Sequence, residues 1–169
     1  DVYDPATNTW ASARPLLLAR NHHASAGVNG KLYVIGGRVG SAFISGTSNN
    51  VDLVEIYDPA TNLWTSGARM PTPRSAIAAG VYNSWIIVPG GEMQNNQFLA
   101  AFKAVEAYDT ARNTWQILPS MPHQRHGLAV GVVDKRLYAV CGDGQSAGNG
   151  MAETDVNYNE ALKLDEVLK

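Results

Sequence analysis

The sequence predicts an all-β chain made of consecutive four-stranded antiparallel sheets, and three observations carry that prediction. A stretch of about ten residues recurs three times, a hairpin segment ending in a glycine doublet recurs between its copies, and Gly and Pro, at 16 and 8 of 169 residues, are plentiful enough for many turns. The first motif is Val54–Trp64, Val-Glu-Ile-Tyr-Asp-Pro-Ala-Thr-Asn-Leu-Trp, with copies at Val2–Trp10 and Val105–Trp115. From Tyr3 to Tyr57 is 54 residues and from Tyr57 to Tyr108 is 51, a period typical of repeat architectures.

Each copy reads as strand, turn, strand. Leu53–Tyr57 carries residues that suit a pleated, half-buried surface. Asp58-Pro59 with Asn62 is turn chemistry, because proline presets φ and the Asp and Asn side chains bond nearby backbone. The return strand opens with Trp64. Tyr57/Trp64, Tyr108/Trp115 and Tyr3/Trp10 are therefore anchor pairs, each ring able to bury roughly 150–250 Å².

The segments between the copies supply two more strands. Arg20–Val28 is small and apolar enough for a buried strand, Asn29-Gly30 is a two-residue hairpin turn, and Leu32–Ile35 returns to Gly36-Gly37. In register follow Arg74–Val81, Asn83-Ser84 and Ile86–Pro89 with Gly90-Gly91, then Arg125–Val132, Asp134-Lys135 and Leu137–Val140 with Cys141-Gly142. One unit is four strands: a from Arg20, b to Gly37, c to Tyr57 and d from Trp64. The chain divides into part of a unit at residues 1–19, units at 20–73 and 74–124, and a degenerate unit at 125–169.

A four-stranded sheet with two apolar faces cannot bury both alone, so units must lean on one another, and radial stacking about a channel is a propeller. The glycine doublet marks a place where something packs directly on backbone, and the aromatic pair is the expected packing group. These residues resemble the Kelch-repeat family: Gly36-Gly37 and Gly90-Gly91, the three Tyr/Trp pairs, and the Met-Pro-x-x-Arg segments Met70–Arg74 and Met121–Arg125, over about residues 1–142. The resemblance implies a ring of about six or seven blades, within the roughly 4–8 that propellers use. The chain supplies about half of one, as a piece of a longer propeller or as a copy that associates with another through exposed blade faces.

Two regions depart from the pattern. Cys141 replaces a doublet glycine and is expected to be buried rather than reactive. Residues 143–169 contain neither an Asp-Pro turn nor a tryptophan. One reading sets a c strand at Ala161–Asp165 with Leu164 and Asp165 in the Tyr and Asp positions; the other is a short helix over Asn159–Leu168.

Composition narrows function. Only 17% of residues are charged and the net charge is −2, with no basic run, so no footprint for nucleic acid or an anionic membrane is present. The apolar runs fall far short of the roughly 18 residues that a spanning helix needs. A single cysteine excludes an internal disulfide and leaves the compartment open.

Because neighbouring strands alternate in direction, the d–a and b–c connections share one face. On it fall Arg20, Asn21, Arg74, Ser75, Arg125 and His126, with long connections, read as loops, at 38–52, 92–103 and 143–160. In peptide-recruiting Kelch proteins, which the chain resembles, arginines at this position bind acidic side chains, and a guanidinium suits bidentate contact with carboxylates. The other reading makes the arginines structural, tied to Glu55, Glu106 or loop carbonyls. Those glutamates precede a tyrosine by two and share its strand face.

A copper-oxidase-like or carbohydrate-active propeller is the enzymatic alternative, with its catalytic groups largely outside these residues. The histidines His22, His23, His123 and His126 offer no obvious carboxylate-supported metal site. The expectation is a non-catalytic binding scaffold without metal or cofactor, whose partner is a protein or peptide of acidic character.

Overall fold

The computed structural model describes residues 1–41, 47–95, 98–146 and 155–168. In chain order, β1 (Val2–Asp4) and β2 (Thr9–Ala11) form a hairpin. They are followed by β3 (Ala24–Val28), β4 (Lys31–Ile35), β5 (Arg38–Ser41), β6 (Thr47–Asn50), β7 (Val54–Asp58) and β8 (Leu63–Ser66). The next unit contains β9 (Gly80–Tyr82), β10 (Trp85–Pro89), β11 (Glu92–Gln94), β12 (Leu99–Ala101), β13 (Val105–Asp109) and β14 (Thr114–Leu118). Last come β15 (Ala129–Val133), β16 (Arg136–Val140) and β17 (Asn159–Lys163).

Two complete antiparallel sheets result, β3-β4-β7-β8 and β9-β10-β13-β14, beside the three-stranded β15-β16-β17. β9 lies against both β3 and β15, so the a strands are innermost and the d strands outermost. Two cores fill the spaces between successive sheets. One joins Ala24, Tyr33, Ile35 and Val54 to Ile86, Val88 and Tyr108; the other joins Ile87, Val105 and Ala107 to Leu137, Ala139 and Leu164. The fold is all-β throughout, and no helix of the described residues is long and apolar enough to cross a membrane.

The turns follow the residue chemistry. Asn29 and Gly30 both take positive φ, at 50° and 74°, as a type I′ hairpin requires. Asn8, Asn62 and Asn113 occupy the same region at 54–55°, where Asn pays less than other side chains. The Asn62 and Asn113 amide oxygens also tie the repeats together. Asn113 Oδ1 accepts from the Tyr108 hydroxyl at 2.5 Å and from the Ala68 amide at 2.6 Å, and Asn62 Oδ1 accepts from Tyr57 at 2.9 Å and from the Arg14 amide at 2.8 Å. Trp115 Nε1 donates to the Ala68 carbonyl at 2.8 Å and Trp64 Nε1 to that of Arg14 at 2.9 Å. The Tyr57/Asn62/Trp64 and Tyr108/Asn113/Trp115 sets thus hold the connection that leads from the preceding unit into their own sheet. Burial pushes the Tyr108 hydroxyl up to about 12, which keeps it a donor.

The three Tyr–Trp pairs have one geometry, with ring centroids 5.1–5.2 Å apart. Trp10 is exposed whereas Trp64 and Trp115 are half-buried, since the latter two reach the carbonyls just named.

Several expectations need correction. The group that packs on the glycine doublet is not the aromatic pair. A Cβ on Gly36 would lie 2.8 Å from the Arg74 carbonyl and 2.9 Å from Ile77 and Met70, and one on Gly90 would lie 2.4 Å from the Arg125 carbonyl. The d–a connection of the following unit therefore covers the doublet, and its backbone bonds there, Gly37 N to Arg74 O at 3.0 Å and Gly91 N to Arg125 O at 2.9 Å. Tyr108 instead rests on Gly67, whose added Cβ would lie 2.5 Å from the phenol oxygen. Cys141 adopts φ +55° like the first glycine of the other doublets, but it is exposed, because among the described residues no comparable segment covers it.

The C-terminal region is a strand, not a helix, and its register differs by two residues from the one expected. Leu137 pairs with Leu162 as Ile86 pairs with Tyr108, and Arg136 with Lys163 as Trp85 with Asp109. Leu162 and Lys163 thus occupy the Tyr and Asp positions. A slip of two keeps the same side chains facing the core, so hydrophobic pattern alone could not separate the registers.

The Leu162 exchange is compensated. Leu118 stands where Gly67 stands one unit earlier, so a Gly/Tyr pair is replaced by Leu118, itself 4% exposed, and Leu162. L162Y is expected to cost about 1–3 kcal/mol by overpacking against Leu118. In that background L118G should cost at least about 1 kcal/mol less than in the wild type. Urea titrations of the single and double variants measure the coupling, and strict additivity would rule out a shared space.

Candidate functional site

The three repeated arginines end the d–a connections, and all three side chains are 0% exposed. Arg20 pairs with Glu55 and donates to the carbonyls of Gly36 at 2.7 Å and Val34 at 3.2 Å. Arg74 lies 2.9 Å from Glu106 and donates to Val88 O at 2.8 Å. Arg125 pairs with Glu160 at 2.7 Å and donates to Ala139 O at 2.9 Å.

In every unit one guanidinium thus bridges a b-strand carbonyl and a c-strand carboxylate. Burial draws the Arg74 guanidinium down from its ordinary range, and the Glu106 charge opposes that pull. Of the two roles the sequence allows, this geometry matches the structural one. The ring of guanidiniums expected to meet a ligand is turned inward.

Glu160 escaped sequence reading because the register slip hid its equivalence to Glu55 and Glu106. It also supplies a carboxylate partner to the histidine segment. His123 Nδ1 lies 2.6 Å from Glu160 Oε1, where Thr72 Oγ1 stands 2.7 Å from Glu106 Oε1 one unit earlier. The His123 ring also stacks on Tyr158 with centroids 4.3 Å apart.

Asn21, Ser75 and His126 each exchange two backbone hydrogen bonds with the residue that follows a doublet: Asn21 with Arg38, Ser75 with Glu92, His126 with Asp143, all at 2.8–3.0 Å. Asn21 is exposed, while Ser75 and His126 are buried. This pairing stitches the start of each unit to its b–c connection.

Among the described residues, the b–c connections at 38–52 and 92–103 carry antiparallel two-stranded ribbons, β5–β6 and β11–β12, in place of the expected loops. Of the third, at 143–160, only 143–146 and 155–160 fall among the described residues.

The stitching assembles a buried polar network across three units. Arg38 donates to Glu92 at 2.7 Å and to Gln94 at 3.0 Å. Glu92 also accepts from Ser146 Oγ at 2.8 Å, lies 3.7 Å from His126 Nε2, and through its carbonyl accepts from Asn50 at 2.6 Å. His126 Nε2 donates to the Gln145 carbonyl at 2.6 Å. A charged residue after the doublet in all three units, Arg38, Glu92 and Asp143, was the available signal for this network.

Around it the surface is mixed. Val39, Phe98 and Leu99 on the ribbons are 36%, 61% and 43% exposed. Asn21, His22 and Gln124 are exposed on the connections. No group of three or more His, Cys, Asp or Glu among the described residues is placed to hold a metal ion.

Residues 19–71 match the family model described as Kelch motif. Related sequences extend the match over most of the chain. It is 28% identical over 168 residues to Kelch-like protein 25 of Xenopus tropicalis, covering 98% of this chain and 28% of that protein. To Kelch-like protein 15 of Danio rerio it is 34% identical over 126 residues, covering 73% and 20%. The chain belongs to the Kelch-repeat family.

Among further Kelch relatives, the Kelch-like protein terF of Aspergillus terreus is 30% identical over 147 residues, covering 83% of this chain and 31% of that protein. The Kelch chain spans about a fifth to a third of the length of these relatives. The solved structure of YjhT superimposes on it with a TM-score of 0.70 at 18% identity, covering 88% of this chain and 55% of that one. That likeness concerns the fold, a Kelch-type β-propeller of which these residues form an incomplete arc.

Proposed function

We propose that this Kelch chain is a non-catalytic scaffold that holds a protein or peptide on the face shared by its d–a and b–c connections. One observation carries the reading: an exposed aromatic group stands at the start of the β12 side of a paired ribbon. Phe98, 61% exposed, is held there by two hydrogen bonds, Asn95 N to Phe98 O at 2.9 Å and Phe98 N to Asn95 Oδ1 at 2.8 Å. An exposed aromatic ring whose backbone is pinned by hydrogen bonds offers large contact area with few side-chain torsions to fix, which favours its use as a binding anchor.

In this reading Phe98, Leu99 and Val39 meet apolar groups of the partner, and Asn21 and Gln124 meet its acidic and polar groups. Arg20, Arg74, Arg125, Ser75 and His126 shape the face from beneath.

The test is affinity capture with F98A beside the wild type, with partners quantified by mass spectrometry. F98A is expected to lose its specific partners by at least about tenfold, as an anchor worth roughly 2 kcal/mol should, with its thermal midpoint unchanged. Undiminished capture by F98A would overturn the assignment of this face.

A further inference from the structure

We propose that His22 is a pH-sensitive latch that ties the β5–β6 ribbon to the connection before β3, closed when the imidazole is neutral and released when it is protonated. His22 stands at φ +57°, with Ala76 at +50° and Gly127 at +61° in the equivalent positions of the next two units. This shared backbone turn thus carries an imidazole in one unit only.

The ring is held at both nitrogens. Nε2 lies 3.0 Å from the Arg38 guanidinium and Nδ1 lies 2.6 Å from Asn21 Oδ1. A guanidinium has donors and no acceptor, so Nε2 must be the bare nitrogen that accepts from Arg38. The single proton then sits on Nδ1 and is donated to Asn21. Only the neutral Nδ1–H tautomer satisfies both contacts.

Protonation puts an N–H where Arg38 already points an N–H and sets two cations 3.0 Å apart. One of them must leave. Arg38 is anchored by Glu92 at 2.7 Å and Gln94 at 3.0 Å and is 4% exposed, whereas His22 is exposed and can swing into water. The imidazole is therefore the moving part. Asn21, which donates from Nδ2 to Gly40 O at 3.3 Å and accepts from Arg38 Nε at 3.3 Å, loses the proton that orients its oxygen, and the grip on β5 at Arg38 and Gly40 loosens.

The groups facing His22 are Arg38 on β5, Glu92 on β11, His126 before β15 and neighbouring His23. Desolvation comes first and lowers its proton affinity, Arg38, His126 and His23 add to this, and Glu92 opposes them, leaving His22 below the ordinary 6.5. The unfolded chain then binds the proton more readily than the folded one. Stability tied to His22 is complete above about pH 6.5 and declines as pH falls toward the lowered folded value.

The experiment is NMR on the whole chain with 15N-labelled histidine and arginine. At about pH 7.5 the His22 ring should show the Nδ1–H tautomer, and on acidification it should titrate below the free-histidine midpoint of about 6.5, together with shifts at Arg38 Nε and the Gly40 amide. In H22Q those two signals should stay flat over the same range. An Nε2–H tautomer in the wild type, which needs no variant to observe, overturns the latch. So do Arg38 and Gly40 signals that titrate equally in H22Q.

Discussion

Arg74→Ala is expected to lower the unfolding free energy by about 3–5 kcal/mol, a large fraction of the roughly 5–15 kcal/mol that holds a typical domain together. The substitution removes a guanidinium with 0% side-chain exposure and leaves the Glu106 carboxylate, 3% exposed, without its counter-charge. It also strips a donor from Val88 O inside the sheet. Thr72 still reaches Glu106 but carries no charge.

The cost is that of breaking a buried pair, not the net worth of having one. Replacing both members with apolar residues of similar size, as in R74M/E106L, should therefore recover much of the loss. Urea denaturation of the two single variants and the double variant provides the measurement. If R74A unfolds within about 1 kcal/mol of wild type, the guanidinium is not an internal tie and the ligand-facing reading returns.

Gly90→Ala is expected to cost about 2–5 kcal/mol for a different reason. Its Cβ would lie 2.4 Å from the Arg125 carbonyl and 3.1 Å from the Met121 methyl, with φ at +65°. The left-handed backbone alone costs a non-glycine residue about 1–2 kcal/mol, and overpacking adds about 1–3 kcal/mol. The carbonyl cannot retreat freely, because it accepts from Gly91 N at 2.9 Å and is the contact that seats one unit on the next.

Gly131→Ala is the internal control, since nothing lies within 4 Å of its added Cβ. It should change stability by less than about 1 kcal/mol. Thermal and urea unfolding compare the two, and equal effects would mean that the close approach at the doublet is not what demands glycine.

The repeat itself was legible because its residues act locally. Tyr57, Asn62 and Trp64 lie within one hairpin and recur at a spacing no single motif could imitate, and Asn29-Gly30 favours a particular two-residue turn from its own chemistry. The role of the arginines was half legible: the charge complement on the c strands could be read for Glu55 and Glu106, but Glu160 was hidden by a two-residue register ambiguity. The contact on the glycine doublets was misassigned for a related reason. An absent side chain shows that something approaches closely, and it carries no sign of which of several distant segments does so.

From residue order alone come the four-stranded unit, its three recurrences, the hairpin turns, the shared loop face and the Kelch resemblance, because each rests on neighbours in the chain or on a period along it. The tertiary structure decided the direction of the guanidiniums, the ribbons that replace the expected loops, and the Arg38–Glu92–Ser146 network that spans three units. The network joins residues 54 positions apart, and the arginine–glutamate ties join residues 32 to 35 apart. Such contacts are selected by burial and by the desolvation of charge, two quantities that exist only once the sheets have closed on one another.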